Sequence, residues 1–297
     1  MHLSMHNWMR AEPIDVTIAR LAKYGYESIE IGGEPKRYNT KDVKKLLDDH
    51  GLRCWGAVTL MFAGLHLPSP DQAVREHTVQ YVKDCITMVK EMDGFLVTIV
   101  PGTVGKVNPD ATPEEEWKNA VESMKEIDAW SKREGVRIAV EPINRFETYF
   151  VSRANQALAL ATATSPECGV CLDAFHINME EVDPYAAILS AKGRLLDFHV
   201  ADTNRFACGL GHWDWLKVVG TLKTIGYDGA LTVEFVAPVD RTPANPYPTM
   251  VETDLSRLDI SEDQKKFIID HGSSFLTEEF YSDQVRICAE TLLPLIK

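Results

Sequence analysis

The chain has 297 residues, of which 45% are hydrophobic and 25% are charged. These proportions are typical of a globular protein with an ordinary core, and they exclude a disordered or fibrous chain. Because 44 acidic residues outnumber 31 basic ones, the net charge of −13 disfavours nucleic acid and anionic membrane surfaces as partners.

The N-terminal segment has no basic stretch followed by an apolar run, and no window of about 18 residues is apolar throughout. We therefore expect neither an export signal nor a membrane span. Six cysteines lie in scattered, mostly apolar surroundings, which favours reduced thiols and a cytoplasmic location. They are Cys54, Cys85, Cys168, Cys171, Cys208 and Cys288.

A helix, a glycine and a short strand follow one another repeatedly along the chain. An apolar helical face over residues 13–24 ends at Gly25, and further helices are predicted over 72–91 and 114–134. Eight apolar runs have the length of buried parallel strands. They cover residues 3–5, 28–31, 53–60, 95–100, 137–141, 169–173, 195–200 and 230–235.

Eight alternations of strand and helix predict a (β/α)₈ barrel that spans residues 1–297 as one domain, with an open α/β sheet as the alternative fold. A long segment of about residues 236–283 follows the eighth strand and carries four prolines before a polar stretch. It is interpreted either as a lid or subunit contact beside the site, or as a surface insertion. A final helix is predicted over 282–297.

Polar side chains interrupt the ends of the last four predicted strands. They are Glu141, Asp173, His199 and Glu234. Their separations of 32, 26 and 35 residues are close to the roughly 30 residues of one strand–helix unit in a barrel. Each residue therefore belongs to its own consecutive strand, and the four ends converge on the barrel mouth, where this fold carries its chemistry.

Three carboxylates that face one another repel, whereas a divalent cation removes that penalty and takes all four side chains as ligands. The sequence therefore predicts a metal site. A set of three oxygen donors and one imidazole fits Mn²⁺ best, with Co²⁺ and Mg²⁺ as alternatives.

A second group of polar residues follows these strand ends and is expected to point into the same mouth, where it could hold substrate hydroxyl groups. These residues are Asn144, Arg145, Glu147, His176, Asp202, Asn204 and Arg205. For Arg145 and Arg205, an ion pair that holds a neighbouring carboxylate is an alternative role.

Glu30 ends the second predicted strand, where it either faces the mouth or precedes a tight glycine turn. His6, after the first strand, either lines the site or fills the barrel rim.

Four segments of the second half closely resemble the D-tagatose/D-allulose 3-epimerases of the xylose-isomerase-like barrel superfamily. They cover residues 141–147, 172–181, 198–205 and 232–235. The resemblance implies that Glu141, Asp173, His199 and Glu234 bind the metal, and that Glu141 and Glu234 are also the acid/base pair. It further implies that Glu147, His176 and Arg205 contact the substrate.

The activity implied by this resemblance is metal-dependent 3-epimerisation of a ketose through a cis-enediolate, without an organic cofactor. Two glutamates on opposite faces of the sugar would remove and return the proton at C3, which inverts that centre. The sequence departs from the family pattern after the eighth strand, where Glu234 is followed by Phe235 and Val236 rather than by proline and phenylalanine.

Because of this departure and the long insertion, two further activities stay open. One is a lyase of the C-glycoside deglycosidase type, whose barrel subunit acts on 3-oxo-glycosides together with a small β-rich subunit. The other is an inosose isomerase or dehydratase. In each case we expect a small sugar or glycoside as substrate and a homo-oligomeric protein. An endonuclease-like hydrolase is less favoured, because it would need a cluster of zinc-binding histidines, only five of the nine histidines lie near strand ends, and the net charge is −13. A non-catalytic sugar-binding protein is less favoured because both proton carriers are present.

Overall fold

Strands and helices alternate along the chain of this computed structural model, which describes residues 1–237, 262, 265–266 and 277–297. The strands are β1 (His2–Met5), β2 (Ser28–Gly32), β3 (Arg53–Val58), β4 (Leu96–Ile99), β5 (Arg137–Val140), β6 (Gly169–Asp173), β7 (Leu195–Val200) and β8 (Ala230–Val233). The helices are α1 (Ile14–Lys23), α2 (Thr40–His50), α3 (Gln72–Glu91), α4 (Pro113–Glu134), α5 (Ala154–Thr164), α6 (Ala174–Glu180), α7 (Pro184–Ser190), α8 (Trp215–Thr224) and α9 (Glu278–Ile296).

The eight strands form one parallel sheet in the order β1-β8-β7-β6-β5-β4-β3-β2. A single parallel bridge between His6 and Glu30 joins β1 to β2, so the sheet closes nearly completely into a barrel. Most residues of the eight strands are buried, and the helices pack on the outside of the sheet. The predicted (β/α)₈ barrel is therefore confirmed, and the open sheet is excluded.

Local sequence signals explain where the helices begin and end. At α4, the Thr112 side chain accepts a hydrogen bond from the Glu115 amide, Pro113 occupies the first turn, and three glutamates complement the helix dipole. The same helix ends at Gly135, whose φ of 73° is a left-handed conformation that glycine adopts without strain. These signals were readable from the sequence, and the predicted bounds of α1, α3 and α4 differ from the observed ones by one residue or none.

Two parts of the prediction differ from the observed elements. The link between β6 and β7 contains two short helices, α6 and α7, which the sequence analysis did not separate. The last helix begins at Glu278 rather than at residue 282, because Thr277 caps it by accepting from the Phe280 amide. Most of the predicted insertion, residues 238–261, 263–264 and 267–276, lies outside the described residues.

All six cysteines are buried and free, including Cys168 and Cys171, which belong to the core as predicted. In the part of the chain that the structure describes, no helix is both long enough and apolar enough to cross a membrane.

Candidate metal centre

Four buried side chains meet at the carboxyl ends of β5 to β8. They are Glu141, Asp173, His199 and Glu234, and one ligand atom from each lies within 4.8 Å of the corresponding atom of every other. Between 0% and 5% of the surface of each residue is exposed. The strand-end spacing read from the sequence thus predicted a group that the fold does bring together.

The four residues lie at the carboxyl ends of four neighbouring strands. Asp173 and His199 lie inside β6 and β7, whereas Glu141 and Glu234 directly follow β5 and β8. The backbone ladder continues through both glutamates, because the Glu141 amide donates to Ile99 O and the Glu234 amide donates to Val200 O, each at 2.9 Å. The strand geometry therefore fixes the direction of both side chains.

His199 lies at the centre of the group. Its Nδ1 is 3.1 Å from Glu141 Oε1 and 3.4 Å from Glu234 Oε2. Asp173 Oδ1 accepts hydrogen bonds from the amides of Phe175 and His176, so that this carboxylate also caps α6. These amide bonds fix Asp173 with its second oxygen left for another partner.

Two carboxylate oxygens in this group, Asp173 Oδ2 and Glu234 Oε2, are buried without a hydrogen-bond partner among the described residues. Buried polar atoms are nearly always satisfied, so two unsatisfied oxygens in one cluster require a missing partner. Burial raises the pKa of Glu141 above its usual value, although His199 and Arg205 oppose this effect. Burial likewise raises the pKa of Asp173, and there His176 and Arg205 oppose it. A cation would supply the missing partner and favour the ionised forms, and three oxygens with one imidazole are donors that suit a divalent ion.

The residues expected to contact substrate line the cavity beside this group. Glu147, His176 and Arg205 share the cavity with Glu141 and Glu234. Arg205 Nη1 is 3.3 Å from Glu147 Oε1, and its Nη2 is 3.9 Å from Glu234 Oε2. The guanidinium also lies over the Phe175 ring at 4.6 Å, so Arg205 is held by carboxylates on one side and an aromatic face on the other.

His176 is almost fully buried next to the group. Its Nδ1 lies 3.2 Å from the Asn144 amide and 3.0 Å from Asn144 Nδ2, and that same side-chain amide donates to Glu147 Oε1 at 2.7 Å. Burial lowers the pKa of His176, and the nearby Asp173 and Glu147 oppose this effect. Asn144 therefore connects two of the predicted substrate residues and orients both.

The opposite wall of the cavity is apolar apart from Thr59. It is formed by Trp8, Val58, Leu60, Met61, Phe62, Val100, Val104 and Ile143. The cavity thus has charged and polar groups from the second half of the barrel, and a hydrophobic lining that comes from the first half except for Ile143. A ligand with a polar reacting end and a less polar remainder matches this division.

Three residues expected in the mouth have other contacts. Arg145 is exposed and pairs with Glu180 at 2.9 Å, in agreement with its alternative interpretation as an ion-paired residue. Asp202 and Asn204 bind their own loop instead of facing the cavity: Asp202 accepts from four N–H groups, and Asn204 donates to Leu210 O. The expectation that Asp202 and Asn204 grip hydroxyl groups is therefore wrong, because the loop needs their side chains to satisfy its own backbone.

Two buried acids, Glu30 and Asp197, lie on the other side of His199. Glu30 Oε2 is 3.2 Å and Asp197 Oδ2 is 3.7 Å from His199 Nε2. Burial and the neighbouring Asp197 raise the pKa of Glu30 to about 8. The sequence analysis left Glu30 open and did not assign Asp197, although a charged residue inside an apolar strand was the available signal in both cases.

Comparison with known proteins agrees with this architecture. Residues 18–258 match the family model described as xylose isomerase-like TIM barrel. The chain belongs to this family.

Among characterised relatives, the chain is 26% identical to L-ribulose 3-epimerase of Mesorhizobium japonicum, covering 74% of this chain and 75% of that protein. It is 27% identical to D-psicose 3-epimerase of Ruminiclostridium cellulolyticum, covering 73% and 76%. The crystal structure of D-psicose 3-epimerase with D-tagatose from Clostridium cellulolyticum H10 has the same fold, with a TM-score of 0.81 over the full length of both chains at 21% identity. The resemblance to the ketose 3-epimerases is confirmed, and so is the prediction of an isomerase-class enzyme.

Proposed function

We propose that this protein is a divalent-metal-dependent epimerase that inverts C3 of a ketose. The observation that carries the proposal is the convergence of Glu141, Asp173, His199 and Glu234, with two of their buried oxygens unsatisfied. The 3-epimerase names of the relatives support the choice of reaction. In this proposal the four residues hold the cation, and Mn²⁺ is the ion that suits the donors best.

When bound, a divalent cation supplies Lewis-acid polarisation of a carbonyl and its neighbouring hydroxyl group. The protein's own residues then have to move one proton. Glu141 follows β5 and Glu234 follows β8, so the two carboxylates approach the cavity from strands that flank β6 and β7 on either side. One glutamate removes the proton at C3, and the other returns a proton from the opposite face.

Glu147, His176 and Arg205 position the substrate in this proposal. The Arg205 guanidinium has donors that can reach sugar oxygens while its contacts with Glu147 and Phe175 limit its motion. Because His176 is buried with a lowered pKa, its ring is neutral near pH 7 and can both donate and accept a hydrogen bond. Together these groups hold the reacting carbons next to the two glutamates, which is the condition for efficient proton transfer.

A lyase that acts on 3-oxo-glycosides is the second candidate, and the apolar wall of the cavity favours it. Trp8, Met61 and Phe62 offer hydrophobic surface to an aromatic or aliphatic group attached to a sugar. The hydroxyl groups of a free ketose would lose hydration against that wall without gaining hydrogen bonds. The first step, loss of a proton beside a carbonyl, would use the same two glutamates.

The remaining expectations belong to this proposal as well. The six buried free thiols support a reducing, cytoplasmic setting. We also propose that residues 1–297 form one barrel domain with an insertion over about 236–283, and that the protein works as a homo-oligomer. A complex with a small β-rich subunit accompanies the lyase alternative.

The test is a substrate screen with protein that has been stripped by a chelator and reloaded with Mn²⁺, Co²⁺ or Mg²⁺. Free ketoses and 3-oxo-glycosides are offered in parallel, and products are separated by chromatography. The proposal expects C3 epimers from at least one ketose and no product from the stripped protein. Cleavage of 3-oxo-glycosides without turnover of any ketose would replace the epimerase with the lyase.

A further inference from the structure

The two ring nitrogens of His199 face two different sets of carboxylates. Nδ1 is 3.1 Å from Glu141 and 3.4 Å from Glu234, within the group proposed to hold the cation. Nε2 points the other way and is 3.2 Å from Glu30 Oε2. A histidine that binds a cation through one nitrogen keeps its proton on the other, and the acceptor of that proton fixes the tautomer and the ring orientation.

Of the two acids near Nε2, Glu30 is the better acceptor. Asp197 Oδ2 is 3.7 Å from Nε2, which exceeds hydrogen-bond distance. The Asp197 carboxylate already accepts from the Phe198 amide at 2.8 Å and from Thr232 Oγ1 at 3.0 Å and 3.2 Å. The Asp197 carboxylate is therefore already hydrogen-bonded within β7 and to β8. Glu30 Oε2, in contrast, lies at hydrogen-bond distance from His199 Nε2.

Glu30 reaches His199 from β2, a strand that is not a hydrogen-bonded neighbour of β7 in the sheet. The residue is 0% exposed, and a carboxyl group at that depth is costly unless it has a partner. The burial and the contact with Nε2 thus point to a role that an apolar residue at this position could not fill.

The ring of His6 completes the enclosure of His199. The two rings meet edge to face at an interplanar angle of 90°, with centroids 4.5 Å apart. His6 thereby restricts rotation of the His199 ring from the β1 side, while Glu30 holds the Nε2 edge. In this orientation Nδ1 faces the proposed ligands and Nε2 faces an acceptor.

We propose that Glu30 is a positioning residue, which holds His199 in the tautomer that presents Nδ1 to the metal and which is not itself a ligand. The inference rests on the proposed function, because it requires that Glu141, Asp173, His199 and Glu234 bind a divalent ion. In the metal-binding protein, Glu30 raises the affinity of the centre for the ion through His199. It fixes the orientation of the ring and makes Nδ1 a stronger electron-pair donor to the metal.

The test compares wild type with the isosteric Glu30→Gln, with Glu30→Leu, and with Asp197→Asn as the matched control. Zn²⁺ affinity and stoichiometry are measured by competition with a chromophoric chelator. Nitrogen-15 NMR of histidine-labelled, Zn²⁺-loaded protein reports the tautomer of His199, and circular dichroism checks the fold. We expect one ion per chain in every variant, about 10–100-fold weaker binding in the Glu30 variants, and a shifted His199 Nε2–H resonance.

Asp197→Asn is expected to retain near wild-type affinity and an unshifted Nε2–H resonance. Unchanged affinity in folded Glu30→Gln, or a larger loss in Asp197→Asn than in Glu30→Gln, would overturn the inference. Two ions per wild-type chain, with one lost in Glu30→Gln, would overturn it too, because Glu30 would then be a ligand. If the Glu30 variants weaken metal binding while no ketose is turned over, the inference stands and the epimerase proposal fails.

Discussion

Arg205 has a positive backbone φ of 62°, a conformation that residues other than glycine rarely adopt. Such strain persists where the surrounding structure imposes it, and it concentrates at functional sites. Here the amide of Arg205 donates to Asp202 O and the Val236 amide donates to Arg205 O, each at 2.8 Å. This strained backbone conformation directs the guanidinium towards Glu147 and Glu234. The loop therefore carries a conformational cost that orients one side chain.

Glu234→Gln tests the proton-transfer role proposed for the Glu234 carboxylate. The carboxamide cannot accept a proton and is a weaker metal ligand, so we expect kcat to fall by about 10²–10⁴-fold or more while the fold is kept. Steady-state kinetics on the best ketose and circular dichroism provide the measurements. The matched control is Glu180→Gln, which removes a buried carboxylate that pairs with Arg145 outside the centre. Wild-type turnover by Glu234→Gln would remove this residue from the mechanism.

At the residue scale, strand-end position predicted four residues that the structure brings together. Glu141, Asp173, His199 and Glu234 each interrupt an apolar strand at repeat spacing, and that pattern is visible without coordinates. Glu30 also interrupts an apolar strand, but its contact with His199 joins β2 to β7, and that pairing depends on the closed barrel. Asp202 follows a strand end, as the predicted substrate-contact residues do, yet its loop uses the carboxylate internally, and only the coordinates separate the two roles.

The loop between β7 and α8 is organised around the Asp202 carboxylate. It accepts hydrogen bonds from the amides of Thr203, Gly209 and Trp213, at 2.8, 2.8 and 3.1 Å, and from Trp215 Nε1 at 3.0 Å. Because Arg205 lies within this loop and lines the cavity, the geometry of the proposed substrate-binding side depends on Asp202. The carboxylate is thus a structural element of the site although it faces away from it.

Gly211→Ala tests the packing of this loop. A Cβ at Gly211 would meet Asp202 Oδ1 well inside contact distance, so we expect a loss of roughly 1–3 kcal/mol in the free energy of unfolding and weaker substrate binding. Gly220→Ala is the matched control, because Gly220 lies in α8 with nothing within 4 Å of the added methyl group. That control should gain about 0.5–1 kcal/mol. Urea denaturation measures both, and equal effects of the two changes would contradict the account.

The pH dependence of stability tests the charge on Asp202. Burial acts to raise the pKa of this carboxyl group, but the bond from Trp215 and the amide bonds outweigh burial and lower it. Its stabilising contribution is therefore complete above the unfolded pKa of about 3.9 and is lost as the pH falls through the lower folded value. We expect Asp202→Asn to be less stable than wild type at pH 7, with a difference that shrinks at acid pH. Denaturation at several pH values checks this, and a constant difference would contradict it.

At the element scale, periodicity and turn residues predicted all eight strands and most helices. Cap residues such as Thr112 and glycines such as Gly135 explain that success, because they mark helix ends in local sequence. The separation of α6 from α7 was missed, since both are seven residues long and too short for a periodic pattern to emerge. The cap of α6 is Asp173 itself, so one residue both begins a helix and belongs to the proposed metal centre.

At the scale of the whole molecule, the net charge of −13 and a buried group of three carboxylates act in the same direction. Both disfavour the empty protein and favour a bound cation, which links metal binding to folding stability. The barrel provides the rigid support for this link, since the proposed ligands come from the ends of four consecutive strands. An ion bound by these residues therefore links β5, β6, β7 and β8, which are half of the strands of the sheet.

Metal binding should raise the melting temperature of the whole chain. At a free ion concentration of about 100 times Kd, the native state gains about 2.7 kcal/mol, which shifts Tm by several degrees in a protein of this size. Differential scanning fluorimetry of chelator-treated protein with added Mn²⁺ measures the shift. Asp173→Asn should abolish most of it. A Tm that does not respond to any divalent ion would argue against the centre.

The most direct measurement of the central claim is solvent exchange at C3 of a ketose. Stripped and Mn²⁺-reloaded protein are each incubated with D-psicose or L-ribulose in D₂O, and deuterium at C3 is followed by NMR. We expect deuterated C3 epimer only with the reloaded protein, and none with Glu234→Gln, because in the proposed reaction the proton leaves and returns through Glu141 and Glu234 beside the bound ion. Epimer formed without deuterium, or exchange that persists after the metal has been removed, would contradict it.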